Sequence, residues 1–284
     1  MSAVDAIRAG RIEDALLILQ TEVRQNPAEQ KHRVFLFQLL VVMGQWERAL
    51  VQLNVAGELD AGNLHMVHAY REALQCEALR EAIFAGTHTP IVFGEPEPWI
   101  ARMVEALRLD IQGDHTGAQQ LRMAALEDAP ATPGSIDGER FEWIADGDTR
   151  LGPILEALVN GRYYWIPFCR IKKINVEAPT DLRDRVWTPV RFTWVNGGET
   201  VGFVPTRYPG TTGTSDNEML MACKTVWNEP SDGAYHGLGQ RMLTTDRGDY
   251  SLMDARRIEF DIEVIEPVEA AIDGAADDAT GAAE

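Results

Sequence analysis

The sequence predicts an α+β protein in which an N-terminal TPR-like (tetratricopeptide-repeat-like) helical-repeat domain precedes an α/β domain with a mainly antiparallel, mixed sheet. Two segments of the first half match each other at an offset of 34 residues, which is the tetratricopeptide period. In the second half β-branched and aromatic residues become frequent, and an Asn-Gly turn lies between two alternating apolar runs. These observations divide the 284-residue chain into a helical domain (1–128), a linker (129–140), an α/β domain (141–265) and an acidic tail (266–284).

The repeat consists of glycine and alanine at matching positions. Gly10 and Ala15 in the segment AGRIEDAL correspond to Gly44 and Ala49 in MGQWERAL, and a third copy at 112–121 (QGDHTGAQQL) keeps the same spacing. Glycine allows a tight turn between two antiparallel helices, and alanine allows the helices to approach closely. We therefore expect stacked helix pairs with a concave surface that binds peptides or helices. The alternative is an ordinary helical bundle in which the spacing is a coincidence.

The region between the two domains is rich in proline and glycine. Residues 129–138 (APATPGSIDG) predict an irregular linker. The segment 141–161 predicts one short helix, because Asp148 is a candidate N-cap, Pro153 lies near the first turn and Gly161 follows the last apolar residue. We expect this helix to pack across one face of the sheet.

The strands of the predicted sheet follow this helix. Residues 163–176 and 187–195 are rich in β-branched and aromatic side chains, as strands are. The turn Asn-Gly-Gly at 196–198 predicts a hairpin between the second of these strands and residues 199–205. Two later strands, at 219–227 and 256–264, are expected to complete the sheet.

Composition argues against several classes of partner. The formal net charge is −18, and the one cluster of basic residues is Arg170, Lys172 and Lys173, so we expect no nucleic-acid partner. We expect neither a signal peptide nor a membrane span. The three cysteines form no C-x-x-C pair and are expected to be reduced thiols of a cytoplasmic protein. The tail at 266–284 has six acidic and no basic residues and is expected to be disordered.

One cluster of charged residues has the composition of an active site. An enzyme that processes a small molecule or a nucleotide could use Asp146, Asp148 and Arg207, since an Asp-x-Asp pair binds divalent metals. Two carboxylates alone are too few metal ligands, and His65 and His68 suit a half-exposed repeat helix better than a zinc site. The sequence also lacks a recognisable nucleophile motif. We therefore assign no catalytic residue, no metal ligand and no cofactor, and keep the enzyme as the alternative.

Aromatic residues are the most promising candidates for partner contacts. The second half has more Trp and Tyr than one small core needs, and these residues are enriched at protein interfaces. On a strand, Tyr163 and Trp165 face one way and Tyr164 the other, so one set is core and the other is free to contact a partner. The candidate partner-binding residues are Trp143, Arg150, Tyr163, Tyr164, Trp165, Arg207 and Tyr208.

Long aromatic-rich blocks occur in a fixed order along this half of the chain. They are FEWIADGDTRLGPILEALVNGRYYWIPF at 141–168, TPVRFTWVNGGETVGFVPTRYPG at 188–210, KTVW at 224–227 and GLGQRMLTTDRGDYSLMDAR at 237–256. Together they resemble the ImpE/TagJ family, accessory proteins of the type VI secretion system, and the resemblance covers about residues 5–262.

The resemblance implies a helical-repeat domain joined to an α/β domain and a non-catalytic role in handling the contractile sheath. Members of the family are associated with binding the N-terminal helix of the small sheath subunit, TssB, and with the unfoldase ClpV. We therefore expect an adaptor that binds the TssB helix and links the sheath to ClpV. Because the chain is acidic, we expect that helix to present an apolar stripe bordered by basic residues.

Overall fold

The computed structural model describes residues 2–95 and 97–263. The expected acidic tail lies outside these residues. Among them, eight α-helices are present, and none is long and apolar enough to cross a membrane. The helices are α1 (Ala3–Arg8), α2 (Ile12–Gln25), α3 (Gln30–Val42), α4 (Trp46–Leu59), α5 (Leu64–Phe84), α6 (Pro98–Ile111), α7 (His115–Asp128) and α8 (Asn217–Leu220).

The strands lie almost entirely in the second half of the chain, which confirms the α+β fold class. They are β1 (Ile91–Val92), β2 (Gly134–Ile136), β3 (Glu139–Phe141), β4 (Ile144–Asp146), β5 (Ile154–Val159), β6 (Arg162–Pro167), β7 (Ile171–Val176), β8 (Trp187–Trp194), β9 (Glu199–Pro205), β10 (Thr225–Ser231), β11 (Ala234–Gly239), β12 (Met242–Thr245), β13 (Gly248–Ser251) and β14 (Arg257–Phe260).

The glycines of the repeat have the same role in three helix pairs. Gly10, Gly44 and Gly113 follow α1, α3 and α6 with φ of 72°, 68° and 86°, a left-handed conformation that glycine adopts without strain. In each turn the residue after the glycine donates its N–H to a helix carbonyl, as Arg11 N does to Ala6 O at 2.9 Å. The alanines of the repeat are fully buried at Ala15, Ala49 and Ala118. The helical region thus has the TPR-like pattern that the 34-residue offset predicts.

Nine of the described strands form one mixed sheet in the order β1-β6-β5-β9-β8-β7-β14-β2-β3. The β1–β6 pair is parallel and the other pairs are antiparallel. The hairpin predicted at 196–198 is confirmed, since β8 and β9 pair from Thr193 opposite Glu199 onward. The strand predicted at 256–264 is confirmed as β14. The remaining described strands form a three-stranded sheet (β13-β12-β4) and a two-stranded ribbon (β10-β11).

The helix predicted at 141–161 is wrong, because this segment contains β4, β5 and the end of β3. All six residues of β5 are buried, so its apolar side chains follow one another without the alternation that marks a half-buried strand. The turn after it, Asn160-Gly161, has φ of 50° and 71° and joins β5 to β6 as a tight hairpin.

Two further segments differ from the expectations. The segment expected to be a linker contains β2 and β3, which extend the large sheet at one edge. The strand predicted at 219–227 is wrong in its first part, where α8 and a turn precede β10. β10 pairs with β11 outside the large sheet.

The large sheet has a hydrophobic core on each face. Ile154 and Leu158 of β5 belong to a core shared with the helical region, whereas Leu155 and Ala157 belong to a second core that includes Phe260 of β14. This division follows the alternation of side chains along a strand. The helices and the sheet therefore pack as layers around a common core, and α5 contacts β6 directly.

Candidate partner-binding surface

The interface between α5 and the sheet contains a buried network of charged side chains. Arg80 of α5 forms a two-point ion pair with Glu156 of β5, with Nε–Oε1 at 2.7 Å and Nη2–Oε2 at 3.0 Å. Glu77, one turn earlier, lies 3.3 Å from Arg80 Nη1 and accepts a hydrogen bond from Trp187 Nε1 at 2.9 Å. Burial raises the pKa of Glu156, but the guanidinium groups of Arg80 and Arg241 outweigh it and lower this pKa to about 2.

Arg241 extends the network across the sheet. Its guanidinium group pairs with both Glu156 and Asp146, and its Nε donates to Pro205 O at 2.8 Å. Asp148 then accepts hydrogen bonds from Arg150 Nε at 2.8 Å and from the N–H of Gly237 at 2.9 Å. Every charged group in this chain of contacts has a partner of opposite charge, as buried charges require.

The three residues that an enzyme could use, Asp146, Asp148 and Arg207, all have partners within the fold. Asp146 is held by Arg241, Asp148 by Arg150, and Arg207 by the backbone carbonyls of Val42 (2.6 Å), Leu220 (2.7 Å) and Val41 (3.3 Å). Burial lowers the pKa of Arg207 to about 10, so the group stays charged at neutral pH. The three side chains thus hold parts of the fold together, and Arg207 pairs with neither carboxylate. Among the described residues, no three His, Cys, Asp or Glu side chains are grouped as metal ligands.

Four of the seven candidate partner-binding residues are buried, and for them the sequence-based expectation needs correction. Tyr163 and Trp165 have no exposed surface, and Trp165 Nε1 donates to the Tyr163 hydroxyl at 2.9 Å. Tyr208 is 1% exposed and Arg207 4%. A side chain without exposed surface cannot contact a partner in this conformation. The reason is α5, which covers the sheet face that Tyr163 and Trp165 share.

The other three candidates lie at or near the surface. Tyr164 is half-buried and packs edge-on against Phe93, with ring centroids 5.8 Å apart. Arg150 lies over the ring of Phe84 at 5.2 Å, and its side chain is 13% exposed. Trp143, between β3 and β4, is 41% exposed and is the candidate best placed to contact a partner.

Trp143 lines a groove of about 590 Å³ between α7 and the three-stranded sheet. Leu126 of α7 and Tyr235 of β11 line the same groove and are 52% and 44% exposed. We call it the aromatic groove and define it by Leu126, Trp143 and Tyr235. Large apolar side chains left exposed beside one another are typical of protein-binding surfaces.

A polar side chain lies within this mostly apolar lining. Arg122 of α7 is 2% exposed, and its Nη2 donates to Asp110. Within residues 2–95 and 97–263, its Nε and Nη1 have no hydrogen-bond acceptor. Burial lowers the pKa of Arg122 to about 10. Apolar grooves with a few fixed polar groups are typical of binding sites, because the polar groups orient the ligand.

Sequence reasoning missed Leu126 and Tyr235. They lie on a repeat helix and on a short ribbon strand, more than 100 positions apart, and no local pattern connects them. Their one signal was an apolar side chain at a position where the helix or strand faces outward, which is common on any surface.

Comparisons with known proteins agree with the fold and name a family. Residues 138–259 match the family model described as ImpE protein. The type VI secretion system accessory component TagJ from Pseudomonas aeruginosa is 48% identical over 261 residues, which is 92% of this chain and 92% of the relative. The crystal structure of protein VPA1032 from Vibrio parahaemolyticus has the same fold, with a TM-score of 0.82 at 23% identity over 94% of this chain and 98% of that chain. Because the likeness to TagJ extends over nearly the whole length of both chains, this chain belongs to the ImpE/TagJ family.

Proposed function

We propose that this protein is a non-catalytic accessory protein of the type VI secretion system that binds the N-terminal helix of the small sheath subunit, TssB, in the aromatic groove. The observation that carries the proposal is the exposed groove lined by Leu126, Trp143 and Tyr235 in a chain that is 48% identical to a type VI secretion accessory component. Bound to the TssB helix, the protein links the sheath to the ClpV unfoldase.

The chemistry of the groove suits an amphipathic helix. A helix bound in an apolar groove is held by apolar side chains at i, i+3 or i+4 and i+7, and aromatic residues are frequent among the contacts that contribute most. Glu127, Glu142 and Asp232 are adjacent in sequence to residues that line the groove. These carboxylates favour a helix whose apolar stripe is bordered by basic residues, because opposite charges speed the encounter.

The chemistry of the cysteines supports a cytoplasmic location. Among the described residues all three cysteines are free thiols, and Cys76 is buried. Burial raises the pKa of Cys76 to about 12, which keeps it in the unreactive thiol form. Free thiols persist in a reducing compartment.

The test is a titration of the full-length protein with a fluorescent synthetic peptide of the TssB N-terminal helix. We expect micromolar binding, and we expect Leu126→Asp and Trp143→Ala each to weaken it at least about tenfold. Leu17→Asp is the matched control, because Leu17 of α2 is 62% exposed and lies outside the groove. Its affinity should equal that of the wild type.

A second peptide, with its apolar stripe changed to Ser, tests the mode of recognition. It should not bind. Equal binding of the two peptides, or an affinity that Leu126→Asp leaves unchanged, would contradict helix recognition in the aromatic groove. ClpV recruitment is tested by capture of ClpV on the protein–peptide complex, and capture that does not depend on the protein would contradict the link.

A further inference from the structure

A second groove, with the opposite charge pattern, lies between the first helices and the sheet domain. It has a volume of about 760 Å³ and runs between α1, α3 and the turn Leu182–Arg185 that precedes β8. We call it the cationic groove. Its apolar lining is formed by Val4, Ile7, Val34, Phe35, Leu182 and Met221.

Three cations line this groove. Arg8 of α1, Lys31 of α3 and Arg185 form no ion pair within the described part of the chain. Arg185 donates instead to Met221 O at 3.1 Å. The one carboxylate in the lining, Asp181, is already paired with Arg183. The groove is thus positive in a protein whose formal net charge is −18.

The groove is also held in shape by contacts that do not involve these cations. Gln38 of α3 accepts a hydrogen bond from Leu182 N at 3.0 Å and donates one to Asp181 Oδ1 at 3.3 Å. The guanidinium group of Arg183 lies 4.6 Å from the centre of the Tyr70 ring. A groove that is formed before binding loses less conformational entropy when a ligand arrives.

We propose that the cationic groove binds a second partner, an amphipathic helix whose apolar stripe is flanked by acidic residues. The apolar lining receives the stripe, and Arg8, Lys31 and Arg185 pair with the flanking carboxylates. The inference goes beyond the proposed function, because the two grooves have opposite charge patterns and therefore select different helices. A protein with both grooves occupied joins two partners.

Two other occupants fit the structure less well. The described chain ends shortly after β14, and in that strand Glu259 lies opposite Lys173, near the start of β7. The cationic groove is instead formed by residues that follow the far end of β7. The last described strand therefore ends at the opposite end of the sheet from the groove. A second copy of this chain would have the same net charge of −18, which opposes self-association at long range.

The test uses two designed amphipathic helical peptides of about 18 residues, or five turns. Both have the same leucine stripe; one has Glu at every flanking position and the other has Lys. We expect the Glu peptide to bind full-length protein at least about tenfold more weakly when Arg8→Glu and Lys31→Glu are combined, and to be insensitive to Leu126→Asp. The Lys peptide should bind more weakly to Leu126→Asp and be insensitive to the combined Arg8→Glu and Lys31→Glu reversal. The two peptides should bind at the same time.

Arg48→Glu is the matched control for the charge reversal, since Arg48 of α4 is exposed, lacks a carboxylate partner among the described residues and lies outside the groove. The proposal is overturned if the double reversal leaves the affinity of the Glu peptide unchanged, or if this peptide does not bind at about 100 µM. Loss of self-association in the double variant would assign the groove to a second copy. Tighter Glu-peptide binding after removal of residues 264–284 would assign it to the chain's own end. Either result also overturns the proposal. None of these outcomes depends on whether the TssB peptide binds.

Discussion

Replacing Glu156 with glutamine tests whether the buried charge network holds the helices on the sheet. The substitution Glu156→Gln would keep the shape of the side chain but leave the guanidinium groups of Arg80 and Arg241 without their shared carboxylate. Removing one partner of a buried ion pair costs about 3 to 5 kcal/mol. For a chain of this size, we expect a decrease in Tm of about 10 °C.

The pH dependence of the same variant provides a second measurement. The pKa of Glu156 is lowered to about 2 in the folded protein, from 4.5 for the free side chain. This difference contributes about 3 kcal/mol of stability that is present above pH 4.5 and is lost as the pH falls towards 2. The wild type should therefore lose its advantage over Glu156→Gln across this pH range.

The assay is urea unfolding followed by tryptophan fluorescence at pH 7 and at pH 3 to 4. Glu47→Gln is the control, since Glu47 is an exposed residue of α4. Amide exchange should also speed up in α5, the helix that Arg80 anchors. If Glu156→Gln unfolds within about 0.5 kcal/mol of the wild type at pH 7, the network does not stabilise this interface.

Two further substitutions test the helical repeat and the titration of His236 in β11. Ala49→Phe should destabilise the protein by about 1 to 3 kcal/mol in urea unfolding, because Ala49 is fully buried; unchanged unfolding would contradict close packing at the repeat. Burial, followed by the positive charge of Arg150, lowers the pKa of His236 to about 4 from 6.5. Neutral His236 therefore favours the folded state above pH 6.5, and this stability is lost as the pH falls through 4. His236→Gln should flatten the stability profile between pH 6.5 and 4, and an unaltered profile would show that His236 titrates as it does in the unfolded chain.

The fold could be predicted wherever the signal was local. Gly10, Gly44 and Gly113 each mark a turn whose backbone needs a left-handed residue, and the same requirement recurs in every repeat. The Asn-Gly pair at 196–197 predicts its hairpin for a similar reason. β5 could not be recognised in this way, because both of its faces are buried and the alternation disappears. Burial on both faces depends on the two cores on either side of the sheet, whose residues are distant in sequence.

The candidate site was only partly predictable for the same reason. Alternation along β6 correctly separates Tyr163 and Trp165 from Tyr164. It does not say which face is covered, and that depends on the position of α5. Trp143 was identified as a candidate from its residue type, but its neighbours in the groove, Leu126 and Tyr235, come together only in the folded chain.

The common core of helices and sheet has a consequence for how two bound partners would behave. Gln38 and Arg80 connect the helical layer to the sheet at separate points, so in the described part of the chain the cationic groove and the aromatic groove belong to one packed unit. Helices held in the two grooves would be kept at a fixed distance and angle. The second binding event would then be strongly favoured for partners whose geometry matches that spacing and absent for partners whose geometry does not. The protein would therefore select its partners by their relative arrangement as well as by their sequence.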